Sequence, residues 1–329
     1  MKVAVLGAGG TIAPAIVRDL AESHEVTTLR LLDLDLRRAE EVALDHGLGK
    51  AQAYQADATT NLTEQLALSA RFEAQGLLAL LGIGSAPGKT NLMAARAVAR
   101  LPGEPVSISV AAAGRDLAPP SGLSFPYALR TLIDELTMPP MALINGKPEE
   151  LEPMQAGPRI DFGEPIGEAE TIFTLHSEVL TFGGSFGANN VTFALSLSGE
   201  VLRHLNELVG ASEERVADAA RSASPPSDRT VSVHLVEVAG ADTTVRARSV
   251  TEPVERWGIG GGVCSTATPA AAAVRLLARR RITAVGAMPP ERCIEPDEMF
   301  AELESRGVRF DVRSEPRAEA QPLLIRTAR

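Results

Sequence analysis

The sequence predicts an α/β protein in two parts, a parallel-sheet domain followed by an α+β domain whose sheet is mainly antiparallel. Three observations carry this. In the N-terminal third, short apolar runs alternate with helical patterns, the rhythm of a parallel sheet. A glycine-rich turn, Gly7-Ala8-Gly9-Gly10, joins the first run to the first helical pattern. From about residue 105 the apolar runs lengthen and the rhythm changes to that of antiparallel strands. The length of 329 residues suits two domains of about 150 residues each.

Residues 2–6 read as a buried strand, and 11–22 as a helix whose Ile12, Ile16, Val17 and Leu20 form one apolar stripe. Pro14 falls in its first turn, where a missing N–H matters least. A second strand over 26–32 ends at Asp33, a charged helix covers 36–46 and a third strand covers 52–56. Helix 62–75 and strand 77–82 follow, and Ser85-Ala86-Pro87-Gly88-Lys89-Thr90-Asn91 then leads into a helix. Strand runs in the second part lie at 106–111, 171–182, 190–197, 231–238 and 244–250, the last two joined by a Gly240-Ala241-Asp242 turn. Residues 222–229 are a polar loop. Thr268 and Pro269 open an alanine-rich helix to about Arg280, and Pro296 opens another that stops at Gly307. The domain boundary is placed after residue 114, giving 1–114 and 115–329, with 280–329 packing back on the first domain.

Composition narrows the function classes. A net charge of -10 lacks the clustered positive field that nucleic-acid phosphates require, and 4% aromatic residues leave few base-stacking platforms. No segment has the apolar length of a membrane span, and Lys2 runs straight into a strand without a secretory signal, so a cytoplasmic protein is expected. Cys264 and Cys293 have neither metal-ligand spacing nor a disulfide framework, and no metal site is expected.

The opening turn carries the first chemistry. Gly7 permits a tight turn, and Gly9 lets the backbone approach a pyrophosphate resting on the N–H groups of Gly10, Thr11 and Ile12. Ile12 stands where a third glycine commonly serves helix-to-strand packing, which costs intimacy there without removing a phosphate donor. Asp33, ending the second strand, is placed to accept hydrogen bonds from the adenosine ribose, which favours NAD over NADP because a carboxylate repels a 2′-phosphate. Arg37 and Arg38 keep NADP open. Asp57 after the third strand, with Ser85 and Pro87 in the later loop, completes the cofactor-binding set; a plain turn with Ser85 capping the helix is the bland alternative.

His176, in Thr174-Leu175-His176-Ser177-Glu178, is the candidate base, with Glu178 two residues on along an expected strand to tune or orient it. A structural histidine is the alternative. Asp134 and Glu135 form an acidic pair that could hold a substrate amino group or polarise water for imine hydrolysis; a solvated helix pair is the alternative, and it leads for Glu135. Arg130 and Arg256 are weak candidates for clamping a substrate carboxylate, and Gly260-Gly261-Gly262 lets a strand pass close to a neighbour.

The stretches GAGGTIAPAIVRDLAE, LLDLDLRRAEEVA, GIGSAPGKTNLMAARAV, TLIDELTMPP, TLHSEVLTFGGSFG and MPPERCIEPDEMFAELESRGV together resemble the saccharopine dehydrogenase-like family, which includes lysine 6-dehydrogenases and carboxynorspermidine dehydrogenases. The resemblance runs over nearly the whole chain. It implies a Rossmann-type domain joined to a substrate domain, NAD(P)-linked oxidation or formation of a C–N bond in an amino acid or opine-like secondary amine, and a homodimer. It also implies substrate-pocket roles for His176, Glu178, Asp134 and Tyr127. One departure stands out: only 19 residues, 58–76, separate Asp57 from the next strand, where the family has a further strand, helix and strand under the nicotinamide. A shortened Rossmann-type domain is therefore expected. The reading from another class is a non-catalytic nucleotide-binding or scaffold protein that has lost part of its cofactor site.

Overall fold

The computed structural model describes residues 1–56 and 62–317, with the side chains of residues 62 and 63 left aside. Asp57 lies outside the described residues. Two compact units emerge, one of Met1–Lys89, Val254–Ile259 and Val263–Gly307, the other of Thr90–Pro253, Gly260–Gly262 and the chain from Val308. These bounds differ from a single cut after residue 114.

The first unit begins as its sequence pattern dictates. Strands β1 (Lys2–Leu6), β2 (Thr28–Asp33) and β3 (Ala51–Gln55) form a parallel sheet in that order, with Val5 opposite Leu31 and Leu31 opposite Ala53. Helices α1 (Ala13–Glu22) and α2 (Leu36–His46) make the crossovers. The α1 stripe buries Val17 and Leu20 against Leu29, Leu31 and Val42. The Asp35 carboxylate caps α2 by accepting from the Arg38 amide at 3.2 Å. In place of one helix over 62–75 there are two short ones, α3 (Leu62–Ala67) and α4 (Ser69–Ala74), and β4 (Leu78–Leu80) follows directly.

Helix α5 (Lys89–Arg100) leads into the second unit, where β5 (Ser107–Asp116) is the first strand. Then come α6 (Leu129–Thr137), β6 (Met141–Ile144), β7 (Lys147–Glu150), β8 (Ile160–Asp161), β9 (Glu168–Ala169) and β10 (Ile172–Phe173). Helix α7 (Glu178–Phe186), β11 (Asn190–Ser196), α8 (Gly199–Leu208), α9 (Glu213–Ser222), β12 (Thr230–Ala239) and β13 (Thr243–Thr251) complete this stretch. The expected strand over 171–182 is overturned: only Ile172 and Phe173 pair, and residues 178–186 are helical. Val179 and Phe182, three apart and buried, supply a helical stripe that reads equally well as a short apolar strand.

The chain ends with α10 (Gly261–Ala278), β14 (Gly286–Met288), α11 (Pro296–Glu304) and β15 (Val308–Pro316). Helix α10 starts seven residues before Thr268, so Pro269 lies inside it rather than at its start. The buried small residues Ala267, Ala271 and Ala272 pack this helix closely, which offsets the one backbone bond that proline removes.

Sheet order explains the two units. Strand β4 pairs in parallel with β14, and among the described residues β1 pairs only with β2, so the parallel part is split into three strands and two. The second unit holds one eight-stranded sheet ordered β15-β13-β12-β5-β11-β6-β7, with β10 on β11, and a small β8-β9 ribbon. All its named pairings are antiparallel except β5 with β11. The expected turn at residues 240–242 is present, closed by the Gly240 amide on the Thr243 carbonyl at 2.8 Å. No helix among the described residues is long and apolar enough to cross a membrane.

Candidate cofactor turn and acid–base cluster

In the first unit, β1 gives way to the glycine turn and then to α1. Gly7 has φ +72°, a conformation that favours glycine, and its carbonyl accepts from the Gly10 amide at 3.1 Å. A Cβ on Gly9 would lie 2.8 Å from the Arg38 Cβ and 3.1 Å from the Asp33 Cγ, so only glycine fits. Asp33 accepts from the Gly9 amide through Oδ2 and from the Asp35 amide through Oδ1, each at 2.8 Å, which holds its carboxylate beside the turn. Ile12 is the N-cap of α1 with φ -88° and contributes no side-chain cap. The third-glycine position therefore needs no positive φ here, and isoleucine is accommodated. Among the described residues the Thr11 and Ile12 amides have no hydrogen-bond partner, leaving the positive end of α1 open to an anion.

The Ser85–Asn91 loop folds on itself through the Gly84 amide on the Pro87 carbonyl and the Lys89 amide on the Gly84 carbonyl, both at 2.8 Å. The Ser85 hydroxyl bonds Thr266 at 3.1 Å. Lys89, which carried no weight in the sequence reading, is wholly buried and donates from Nζ to the Ser265 hydroxyl at 2.8 Å; burial pushes its ammonium down to about 7. A lysine following a glycine in a loop gives no sequence signal of burial.

In the second unit, β10 ends at Phe173, and the loop to α7 carries His176. Its ring stacks on Phe193 of β11, with centroids 3.5 Å apart at 20°. Glu178, in the first turn of α7, is fully buried; its Oε2 lies 3.5 Å from His176 Nδ1, and its Oε1 accepts from the Thr90 hydroxyl at 3.1 Å. A carboxylate at a helix start also meets the favourable end of the backbone dipole. The proximity expected between His176 and Glu178 holds, but through a loop-to-helix turn rather than a regular strand.

Helix α6 reverses the expectation for its acidic pair. Asp134 turns outward to Arg130 at 3.1 Å, whereas Glu135 accepts a short hydrogen bond from the Tyr127 hydroxyl. Consecutive residues on a helix point about 100° apart, so when Leu132, Ile133 and Leu136 face inward only one of the pair joins them. Burial pushes the Glu135 carboxyl up, partly offset by the nearby His176 and by the Tyr127 hydrogen bond. Burial and the Glu135 charge push the Tyr127 phenol well up. His176 thus has Glu178 at 3.5 Å and the Phe193 ring stacked on it, and its charge acts on the Glu135 carboxyl, which the Tyr127 hydroxyl holds. Such a cluster can take, hold and return a proton.

The weaker candidates have structural occupations. Arg130 is bound to Asp134 and Glu213, and Arg256 to Glu22 at 3.3 Å while lying over Trp257. Gly261 passes against the Thr251 and Thr230 carbonyls, and the Gly262 amide donates to the Thr230 hydroxyl at 3.1 Å. Burial raises the Cys264 thiol to about 12 and the Cys293 thiol to about 11, so neither is a nucleophile at neutral pH. No cluster of three metal-ligating side chains occurs among the described residues.

No protein-family profile matches the chain. Among solved structures it is similar to apo saccharopine dehydrogenase (L-Glu forming) from Saccharomyces cerevisiae, at 15% identity over 95% of this chain and 99% of that one, with a TM-score of 0.68. It is also similar to an oxidoreductase from Agrobacterium radiobacter in complex with NAD+, L-tartaric acid and magnesium, at 14% identity over 96% and 98% of the two chains. The TM-score there is 0.34, too low to carry an argument. The first comparison establishes the fold: a Rossmann-type parallel part and a second unit built on a mainly antiparallel sheet, the fold of saccharopine dehydrogenase.

Proposed function

We infer that this protein is an NAD(P)-dependent oxidoreductase acting on the C–N bond of an amino acid or an opine-like secondary amine. The observation that carries the reading is His176 placed among two buried or half-buried carboxylates, Glu178 and Glu135, since acidic surroundings attract an ammonium group and an imidazole can relieve it of a proton. The glycine turn supports it, with open Thr11 and Ile12 amides for a pyrophosphate and a fixed Asp33 carboxylate for a ribose. The nicotinamide, when bound, supplies the hydride acceptor. His176 holds the proton of the substrate nitrogen, Glu178 orients the imidazole through Nδ1, and Phe193 fixes the ring plane. Asp33 favours NAD, and Arg37, paired with Glu41 at 2.6 Å, is drawn away from a 2′-phosphate. A homodimer in the cytoplasm acting on a small amino-acid substrate belongs to the same proposal.

A second reading has its own support. Among the described residues β1 pairs only with β2, and those between β3 and β4 are helices with no further strand, so the parallel part is short where a nicotinamide floor is expected. That favours a protein that binds a dinucleotide without turning it over. Fluorescence titration with NADH and NADPH, repeated on Asp33→Ala, tests the common ground. Saturable NADH binding, weakened about 10-fold or more in the variant by loss of a charged acceptor, is expected. Binding of neither nucleotide overturns both readings. NADH formation from NAD+ with L-saccharopine or L-lysine then separates the enzyme from the binder.

A further inference from the structure

We propose that Thr90, in the first turn of α5, is a positioning residue for His176: by holding one oxygen of Glu178 it turns the other to the imidazole, which fixes the ring proton on Nδ1 and leaves Nε2 as the accepting nitrogen. Its use in catalysis rests on the oxidoreductase reading, whereas the tautomer does not. Thr90 and Glu178 are both buried, so the bond between them is made away from solvent, where it is electrostatically strong. The Thr90 hydroxyl donates to Glu178 Oε1 at 3.1 Å. Oε2 has no hydrogen-bond donor of its own among the described residues and lies 3.5 Å from His176 Nδ1. A buried carboxylate oxygen calls for a donor, and an N–H on Nδ1 is the group placed to supply it.

A neutral imidazole in water carries its proton mostly on Nε2, so a histidine that accepts a proton there needs an acceptor beside Nδ1 to reverse that preference. Glu178 supplies the acceptor only while its carboxylate plane is held. The last torsion of a glutamate is broad, and the Thr90 hydroxyl removes that freedom. The branched Cβ of threonine restricts its own χ1, so the donor is itself held in place. Phe193, stacked on the imidazole with centroids 3.5 Å apart, fixes the plane of the ring. Thr90 therefore sets the carboxylate and Phe193 sets the imidazole, and the two together define which ring nitrogen keeps the proton.

The test is nitrogen-15 NMR of the histidine rings, at a pH where they are neutral, in the wild type, Thr90→Val, Thr90→Ala and Thr90→Ser. The chain has five histidines, and the His176 ring is identified by its loss in His176→Asn. The wild type is expected to show the Nδ1–H tautomer at His176. Thr90→Val keeps the shape and removes the donor, so the ratio of Nε2–H to Nδ1–H is expected to rise about 10-fold, the scale of one lost hydrogen bond to a charged group. Thr90→Ser keeps the hydroxyl and is expected to restore the wild-type ring, whereas a merely structural threonine would leave the tautomer unmoved in every variant. An Nε2–H ring in the wild type, or an unchanged ring in Thr90→Val, overturns the proposal. If Thr90→Val does not fold, Thr90→Ala lacks the same donor and is read in its place by the same criterion. In oxidation of L-saccharopine or L-lysine with NAD+, Thr90→Val is expected to lower kcat about 10-fold with NADH affinity unaltered, and Thr90→Ser to recover it. A shifted tautomer with unchanged kcat overturns the positioning role. The ring spectra need no substrate, so a wild type that forms no NADH defeats the oxidoreductase reading while the tautomer is decided separately.

Discussion

Arg275 on α10 donates from Nη1 to Asp19 on α1 at 3.0 Å, and both side chains are buried. The same guanidinium binds Glu302 on α11 at 2.6 Å, and Arg306 reaches Asp19 at 3.0 Å. Three helices of the first unit are joined by charges whose centre, Arg275 with Asp19, is buried, while Glu302 and Arg306 are part-exposed at its edge.

Breaking this group from one side leaves the buried Asp19 carboxylate with only the part-exposed Arg306 as its counter-charge. Arg275→Ala is expected to destabilise the first unit by about 3–5 kcal/mol. Urea denaturation checks this. Asp19→Asn in the Arg275→Ala background is expected to recover part of the loss, because the orphaned charge is then gone.

Glu25 gives the first unit a pH dependence. Burial alone would raise its carboxyl, but the Ser23 hydroxyl, Arg279 and a backbone hydrogen bond lower it to about 2. A lowered carboxyl stabilises the fold above its unfolded value near 4.5 and loses that contribution as pH falls toward 2. Arg279→Met is expected to flatten the stability curve between pH 4.5 and 2, measured by thermal melts across that range.

Lys89 gives a slope of the same sign over a higher pH range, although its charged form opposes folding where that of Glu25 favours it. Its ammonium is lowered to about 7 from 10.5, so between those values the unfolded chain binds more protons and stability rises with pH; below about 7 both states are charged and the slope vanishes. Lys89→Met is expected to remove the rise between pH 7 and 10 and to be more stable than the wild type at pH 6. An unchanged slope in the variant would assign the rise to another group.

His176 is expected to matter for turnover and not for the cofactor. His176→Asn should lower kcat for amine oxidation about 100-fold, with NADH affinity unaltered. Phe193→Leu keeps an apolar core residue while removing the ring under the imidazole, and a smaller fall in kcat is expected. Equal loss of NADH binding in either variant would assign these residues a structural role.

The fold was legible where a local pattern had one structural solution. Residues 2–46 read correctly as strand, helix, strand and helix because their apolar periods are unambiguous, and Asp33 was placed by its position at a strand end. The run at 171–182 misread because four to eight apolar residues suit either element, and burial of Val179 and Phe182 on one face decided for a helix.

By itself the sequence determined the alternation of elements, the glycine turn and the residue types that do chemistry, because these depend on neighbours along the chain. Tertiary structure alone decided that Glu135 rather than Asp134 turns inward to Tyr127, that Lys89 is buried against Ser265, and that β4 pairs with β14 rather than continuing from β1. Each of those rests on contacts between distant segments. A helix phase, a desolvated charge and a strand pairing are set by what packs against them, which no local pattern encodes.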